Sequence, residues 1–234
     1  MVINSVGEVS MGYYVNLETI TLEEFFSKLQ EVSVLPSQKV LRETPEEKCS
    51  CLQKHGIHHL DQLEAALKSN DRIAELSAKT GLTLDYLTLM RRELDRYHPR
   101  PIVFAEIPGL NEPVLEKLSQ NNIRNTMHLF DMVITAENRQ HLADRTGITL
   151  DEVAELTRLA DVSRIMWTTP AFVRLLVEAG YDSVEKIADA DCRTMYERLA
   201  ATNGAKSYYR GRLTERDIWL FIRYAKDVPQ IINW

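Results

Sequence analysis

The chain repeats itself at a spacing of 66 residues. The segment Thr80–Asp85 reads Thr-Gly-Leu-Thr-Leu-Asp, and Thr146–Asp151 reads Thr-Gly-Ile-Thr-Leu-Asp. Three apolar pairs follow the same shift without a gap: Ile57 with Ile123, Leu63 with Leu129, and Leu76 with Leu142. Repetition over this length indicates that a whole supersecondary unit has been copied, so it constrains the architecture more than any other feature does.

Capping signals predict four helices in each of the first two copies. Ser, Thr, Asn and Asp cap helix starts, proline favours the first turn, and glycine ends many helices in the left-handed conformation. In the first copy, the predicted helices run from Thr44 to His55 with a stop at Gly56, over 60–67, from Asn70 to Gly81, and from a Thr83 cap to a stop at Pro99. In the second copy they cover 112–120, 126–132, 136–145 and 150–162.

The third copy is more diverged. Its helices are predicted from Thr169 to Gly180, from Asp191 to Gly204, and from Glu215 to Lys226. About eight residues have been gained between Gly204 and Thr214. The chain is therefore predicted to be all-α, with three tandem four-helix units at 36–98, 99–165 and 166–234.

Both ends of the chain are expected to pack on these units. In the N-terminal segment, 1–35, Thr21 and Glu24 form a capping box, and the helix that follows has one strongly apolar side. We expect this helix to dock on the exposed end of the first unit. The first ten residues show no pattern. The apolar tail Pro229–Trp234 is expected to fold back on the third unit, or alternatively to be presented to a partner.

Composition excludes several classes of protein. A net charge of −6 gives no global attraction to nucleic acid or to an anionic membrane, so such binding would need a local patch. No apolar run is long enough for a membrane span and no signal peptide is visible, which predicts a cytoplasmic protein without a membrane partner. Cys49 and Cys51 lie near three histidines, but their spacing of two places them on different helix faces; we expect no metal and no cofactor.

Four short segments carry a resemblance to a known family. They resemble the tandem helix-hairpin-helix-like repeats of the family called domain of unknown function 4332. The four segments are Ile107–Glu112, Leu115–Leu118, Asn122-Ile123 and Ala143–Ile148. The resemblance covers about residues 36 to 228. It implies relatedness to helix-hairpin-helix modules, many of which bind duplex DNA without reading its sequence, but it brings no established activity.

The hairpin of such modules reads apolar-x-Gly-apolar-Gly, and its glycines let backbone amides approach a phosphate. The second copy has Ile107, Gly109 and Asn111 at the key positions, with asparagine able to adopt a positive φ in place of the second glycine. The glycine positions of the other copies are occupied by Trp167 and Thr169, and by Glu43 and Pro45. Only the second hairpin is thus a candidate phosphate site, and the alternative is a tight turn without a ligand.

A second candidate is the basic insertion of the third copy. It contains Lys206, Tyr208, Tyr209, Arg210 and Arg212, and Arg216, Arg223 and Lys226 follow it. Six basic side chains stand here against Glu215 and Asp217, a net charge of +4. Cations beside tyrosines suit a phosphate backbone with stacked bases. The alternative is a solvated loop whose tyrosines pack on the last helix and whose arginines pair with carboxylates.

The residues favour binding over catalysis. The histidines stand on separate predicted helices, and no nucleophile turn or Gly-rich nucleotide loop occurs, so we expect no enzyme.

Trp167 and Trp219 fit apolar positions and are expected in the core. Two functions remain: a module that contacts nucleic acid backbone without sequence specificity, or a protein-interaction scaffold whose helix-hairpin-helix units are degenerate.

Overall fold

The chain is all-α. The computed structural model describes residues 12–31 and 36–234, and within these ranges it contains thirteen α-helices and no β-strand. None of the described helices is both long and apolar enough to cross a bilayer. The chain divides into two compact units, one formed by Asn16–His98 and the other by residues 12–15 together with Pro99–Trp234. The first ten residues and Met11 lie outside the described part.

The unit Asn16–His98 holds five α-helices: α1 Leu22–Glu31, α2 Pro45–Lys54, α3 Leu60–Leu67, α4 Asn70–Thr80 and α5 Leu84–Leu94. Short 3-10 helices cover Leu17–Thr19, Pro36–Arg42 and Asp95–Tyr97. Helix α1 starts at the expected capping box, because Thr21 and Glu24 exchange hydrogen bonds between side chain and backbone. It packs on α2, and the Phe25 ring lies 6.2 Å from that of Tyr97, so α1 docks on the helices that follow it.

The predicted cap of α2 is wrong. Helix α2 begins at Pro45 as expected, but the Thr44 hydroxyl makes no capping hydrogen bond. Thr44 has φ 42 and ψ 54, whereas a capping side chain reaches the first turn from an extended backbone. The left-handed backbone turns the hydroxyl away, and the proline alone marks the helix start.

The second unit holds eight α-helices: α6 Glu112–Gln120, α7 Thr126–Phe130, α8 Ala136–Thr146, α9 Leu150–Val162, α10 Pro170–Glu178, α11 Val184–Ala188, α12 Cys192–Lys206 and α13 Glu215–Ala225. A 3-10 helix covers Phe104–Glu106. Helix α12 does not end at Gly204 as predicted. It continues through that glycine to Lys206 and ends at Ser207, which has φ 54. Part of the inserted sequence is therefore helix and not loop.

The two copies of the 66-residue echo have the same local geometry. Gly81 and Gly147 both adopt positive φ, 74 and 66, and both donate their N–H groups to the carbonyl four residues earlier. Thr83 and Thr149 then cap α5 and α9 through their side chains. In both copies, the repeated segment ends one helix at a glycine and begins the next at a capping threonine. The division of the chain into three repeat units stays a prediction.

The C-terminal tail folds back, but not onto the predicted third unit. The N–H of Asn233 donates to the carbonyl of Ile134, at 2.8 Å. The Arg139 guanidinium donates to the Asn233 carbonyl and lies 5.6 Å from the Trp234 ring centre. Ile134 and Arg139 belong to the segment predicted as the second unit, so the expectation was right about folding back and wrong about the surface covered.

Candidate functional site

The second hairpin keeps one of its two special backbone conformations. Ile107 is buried, and Gly109 is exposed with φ 80. Asn111 precedes α6 as its N-cap, with φ −73 and ψ 135 and no capping bond from its side chain. The positive φ expected at Asn111 is therefore not observed. An extended backbone is the usual conformation of an N-cap, so the start of α6 decides the conformation here.

A buried arginine holds this hairpin from below. Arg174 of α10 is 3% exposed, and its Nε donates to the Pro108 carbonyl at 2.6 Å. Its Nη1 lies 2.5 Å from the Glu155 carboxylate and 3.6 Å from that of Glu178. Two carboxylates thus face the one cation beneath the hairpin. The hairpin gains a firm anchor but no surplus positive charge from Arg174.

Replacing Gly109 tests whether the hairpin needs glycine for its positive φ, because an added Cβ would meet no steric clash there. A Cβ at Gly109 would meet only the Arg174 guanidinium, at 3.8 Å or more, so Gly109→Ala fits sterically. A non-glycine residue at positive φ costs about 1 kcal/mol, and we expect the free energy of unfolding to fall by that amount. Urea unfolding followed by tryptophan emission measures it, since all three tryptophans lie in the second unit.

Gly204 supplies the matched control for this measurement. It lies inside α12 with nothing within 4 Å of an added Cβ. Alanine is favoured over glycine inside a helix by roughly 0.5–1 kcal/mol, so Gly204→Ala should stabilise the same unit. A Gly109→Ala protein as stable as the wild type would contradict the requirement for positive φ at the hairpin.

In the basic insertion, Tyr209 is an anchor. The Asn203 side chain accepts from the Tyr209 N–H and donates to its carbonyl, both at 2.8 Å. The Tyr209 ring lies 5.4 Å from the Phe172 ring of α10 and also covers Gly211. This tyrosine packs on α10, whereas the alternative expected the tyrosines to pack on the last helix. Tyr208 is half-buried beside it.

The cations of the insertion point outward. Lys206, Arg210 and Arg212 are all exposed. Within the described ranges, no carboxylate lies within ion-pair distance of Arg210 or Arg212. The alternative in which these two arginines are paired with neighbouring carboxylates is therefore wrong for the described part of the chain. Their guanidinium groups are available to a ligand.

Helix α13 extends this positive surface along one face. Arg216, Trp219, Arg223 and Lys226 recur at spacings of three, four and three residues, which places them on one side of a helix. The opposite side is buried through Ile218, Phe221, Ile222 and Ala225. We call the set of seven residues the C-terminal basic surface: Lys206, Arg210, Arg212, Arg216, Trp219, Arg223 and Lys226.

Both tryptophans expected in the core are exposed. Trp219 is 39% exposed, and the Arg223 guanidinium lies 5.1 Å from its ring centre. Trp167 is 36% exposed, has φ 71, and lies 4.8 Å from the Tyr224 ring. The core positions of α13 are already filled by its other apolar residues. The spacing of Trp219 from its basic neighbours was the signal that could have placed it on the outer face.

The two sequence candidates do not form one site. The hairpin lies against Arg174 of α10, whereas the insertion lies against Phe172 of the same helix. Residues two apart on a helix point about 200° apart, so the two candidates contact different sides of α10. Near α2 and elsewhere among the described residues, no group of three or more potential metal ligands occurs.

Comparison with known families gives one match. The family model described as Domain of unknown function (DUF4332) matches residues 108–228, from the second hairpin to just beyond the last helix. Comparison with curated proteins and with solved structures returned no match.

Proposed function

This chain belongs to the DUF4332 family, a domain family of unknown function, and we propose that it binds the phosphate backbone of nucleic acid without sequence specificity. It does so through the C-terminal basic surface, by binding and not by catalysis, in the cytoplasm and without a cofactor. The observation that carries the proposal is the exposure of Arg210 and Arg212 next to the basic face of α13, with no ion-pair partner for either among residues 12–31 and 36–234.

Charge distribution supports this surface. The segment 206–226 has a net charge of +4 in a chain whose total is −6. A chain with this asymmetry is oriented by its own field as it approaches a polyanion. Guanidinium groups are suited to phosphate because their planar donors can bind two oxygens at once. No carboxylate of the described residues pairs with Arg210 or Arg212, so contact with a phosphate would break no ion pair within that part of the chain.

The second hairpin has a supporting part in this proposal. The Pro108 carbonyl and Gly109 are packed over Arg174, whose charge is balanced by Glu155 and Glu178. We propose that the helix-hairpin-helix relationship survives here as a scaffold that positions the last helices. Gly109→Ala should accordingly leave nucleic-acid affinity within about twofold of the wild type, a difference of under 0.5 kcal/mol.

Reversing two charges tests the proposed function. With up to six phosphate contacts, the affinity for single strands should fall with salt at a logarithmic slope of about −4. The double variant Arg210→Glu/Arg212→Glu loses two contacts, so the slope should become shallower by about 1–2. Its affinity at low salt should fall at least tenfold, about 1.4 kcal/mol. Fluorescence anisotropy of labelled oligonucleotides across a salt series measures both quantities.

The control variant carries the same change in net charge elsewhere. Lys54 and Lys68 are exposed residues of the other compact unit, and Lys54→Glu/Lys68→Glu alters the total charge equally. This control should bind like the wild type. Equal loss in both double variants would mean that only net charge matters, and no binding by the wild type at low salt would overturn the proposed function.

A protein-interaction scaffold is the second candidate, and one observation favours it. Leu84 and Leu150 occupy the same position in the 66-residue echo, and they are 52% and 47% exposed. Each is the first residue of its helix, where the core does not require a leucine. Under this alternative, Leu84→Ser/Leu150→Ser would abolish a crosslinked protein complex, and the charge reversals at Arg210 and Arg212 would leave that complex intact.

A further inference from the structure

Trp219 is the one aromatic side chain in the middle of the C-terminal basic surface. Arg216 lies one turn before it and Arg223 one turn after it on α13. The Arg223 guanidinium lies over the indole, yet 39% of the residue stays exposed. A tryptophan gains much when its large apolar area is covered, so its position outside the filled core calls for a ligand with a flat apolar face.

We propose that this surface takes single-stranded nucleic acid, with a base stacked on Trp219 while the flanking arginines hold the adjacent phosphates. The inference rests on the proposed function and names its substrate class. Stacking on an aromatic side chain tolerates any sequence because every base has a π-face. Arg223 adds a second planar group, which both holds the indole in place and can stack with a neighbouring base.

A duplex does not satisfy the same surface. Its bases are stacked on each other, so a helix face lying on the backbone would meet phosphates and leave Trp219 uncovered. A single strand presents bases and phosphates together. The face from Arg216 to Lys226 is about 15 Å long, so a strand lying along it can reach both flanking arginines and Trp219.

An anionic membrane fits the surface less well. Basic residues and tryptophan are common at membrane interfaces, but a helix that lies in the interface needs a broad apolar face to insert. The apolar residues of α13 are already buried: Ile218, Leu220, Phe221, Ile222 and Ala225. Trp219 alone remains outside on this helix. The charge and the single aromatic ring are therefore complementary to a strand of bases and phosphates.

The experiment compares three ligands of one length and sequence. They are a labelled single strand about ten nucleotides long, its duplex, and a strand of the same length whose sugars lack bases. Trp219→Ala should bind the single strand about tenfold more weakly than the wild type does. Its affinities for the duplex and for the abasic strand should change less than about twofold, because neither offers a base to Trp219.

Two further variants make the result specific. Trp219→Phe keeps an aromatic face and should recover part of the single-strand affinity. Trp234 is also an exposed tryptophan, at 49%, but it lies against Arg139 in the tail, so Trp234→Ala should bind the single strand like the wild type. The circular dichroism spectrum of each variant should match that of the wild type, which shows that the lost affinity is not lost structure.

The outcomes separate this inference from the proposed function. Wild-type binding of all three ligands, with Trp219→Ala unchanged on the single strand or equally weak on the duplex, would overturn the single-strand inference and leave phosphate binding standing. No binding to any of the three would overturn both. Tighter binding to phosphatidylserine-containing vesicles than to the single strand, lost in Trp219→Ala, would also overturn the inference and assign the surface to membranes.

Discussion

Arg164→Ala will lower the free energy of unfolding of the second unit by about 3–5 kcal/mol, because it leaves the buried Asp161 carboxylate without its cationic partner. The Arg164 side chain is fully buried, and its Nη2 lies 2.5 Å from the Asp161 carboxylate. Its Nη1 donates to the carbonyls of Gly12 and Pro229, at 2.9 and 3.0 Å. One guanidinium therefore joins α9, the N-terminal segment and the C-terminal tail.

Urea unfolding followed by tryptophan emission measures this loss in the full chain. Arg193→Ala is the matched control, because Arg193 is 77% exposed and pairs with Glu197 on the surface of α12. An exposed pair of this kind contributes little to stability, because water and salt screen the attraction. A similar, small loss in both variants would contradict the role of Arg164 as the buried connection between the two chain ends.

Tyr13→Ala should also lower the free energy of unfolding, by about 3–5 kcal/mol. Its side chain is completely buried, and its ring lies 5.4 Å from the Phe130 ring in an edge-on arrangement. Its hydroxyl is hydrogen-bonded to Thr126 at 2.6 Å and to Ser163 at 3.2 Å. Burial raises the pKa of Tyr13 to about 12, so the phenol stays neutral in this site at neutral pH.

Two neighbouring substitutions divide this effect into its parts. Tyr13→Phe keeps the ring and removes only the hydroxyl, so it should cost about 1–2 kcal/mol. Tyr14→Ala removes a half-buried ring from the next position and should cost less than Tyr13→Ala does. Thermal unfolding monitored by tryptophan emission gives all three values. If Tyr13→Ala were no more destabilising than Tyr14→Ala, the segment 12–15 would not be part of the core of this unit.

Much of the fold could be predicted because helix boundaries have local causes. The bounds of α3, α6 and α9 were predicted to the residue, since capping residues, prolines and glycines act within one turn of the chain. The failures also have local explanations. Thr44 adopts a left-handed backbone, and Gly204 is tolerated inside α12 because a single glycine costs a helix only about 1 kcal/mol.

The candidate site could be predicted only in part. The six cations of the site could be recognised from the sequence, because they are close together in the chain. The exposure of Trp219 could not be predicted, because an apolar residue at helical spacing fits a core as well as a surface. Only packing showed that the core side of α13 was already filled. Packing also showed that Arg174 holds the second hairpin from inside the protein.

The sequence by itself determined the all-α class, the positions of most of the helices, the local echo at Gly81 and Gly147, and the family. These depend on residues within a few positions of each other, where capping and backbone conformation act. Only the tertiary structure decided the partners of the chain ends and which aromatic side chains stay outside. Tyr13 and Thr126, or Arg164 and Gly12, are more than a hundred residues apart in the chain. Such contacts form because a buried polar group must find a partner, and nothing local in the sequence states which partner that is.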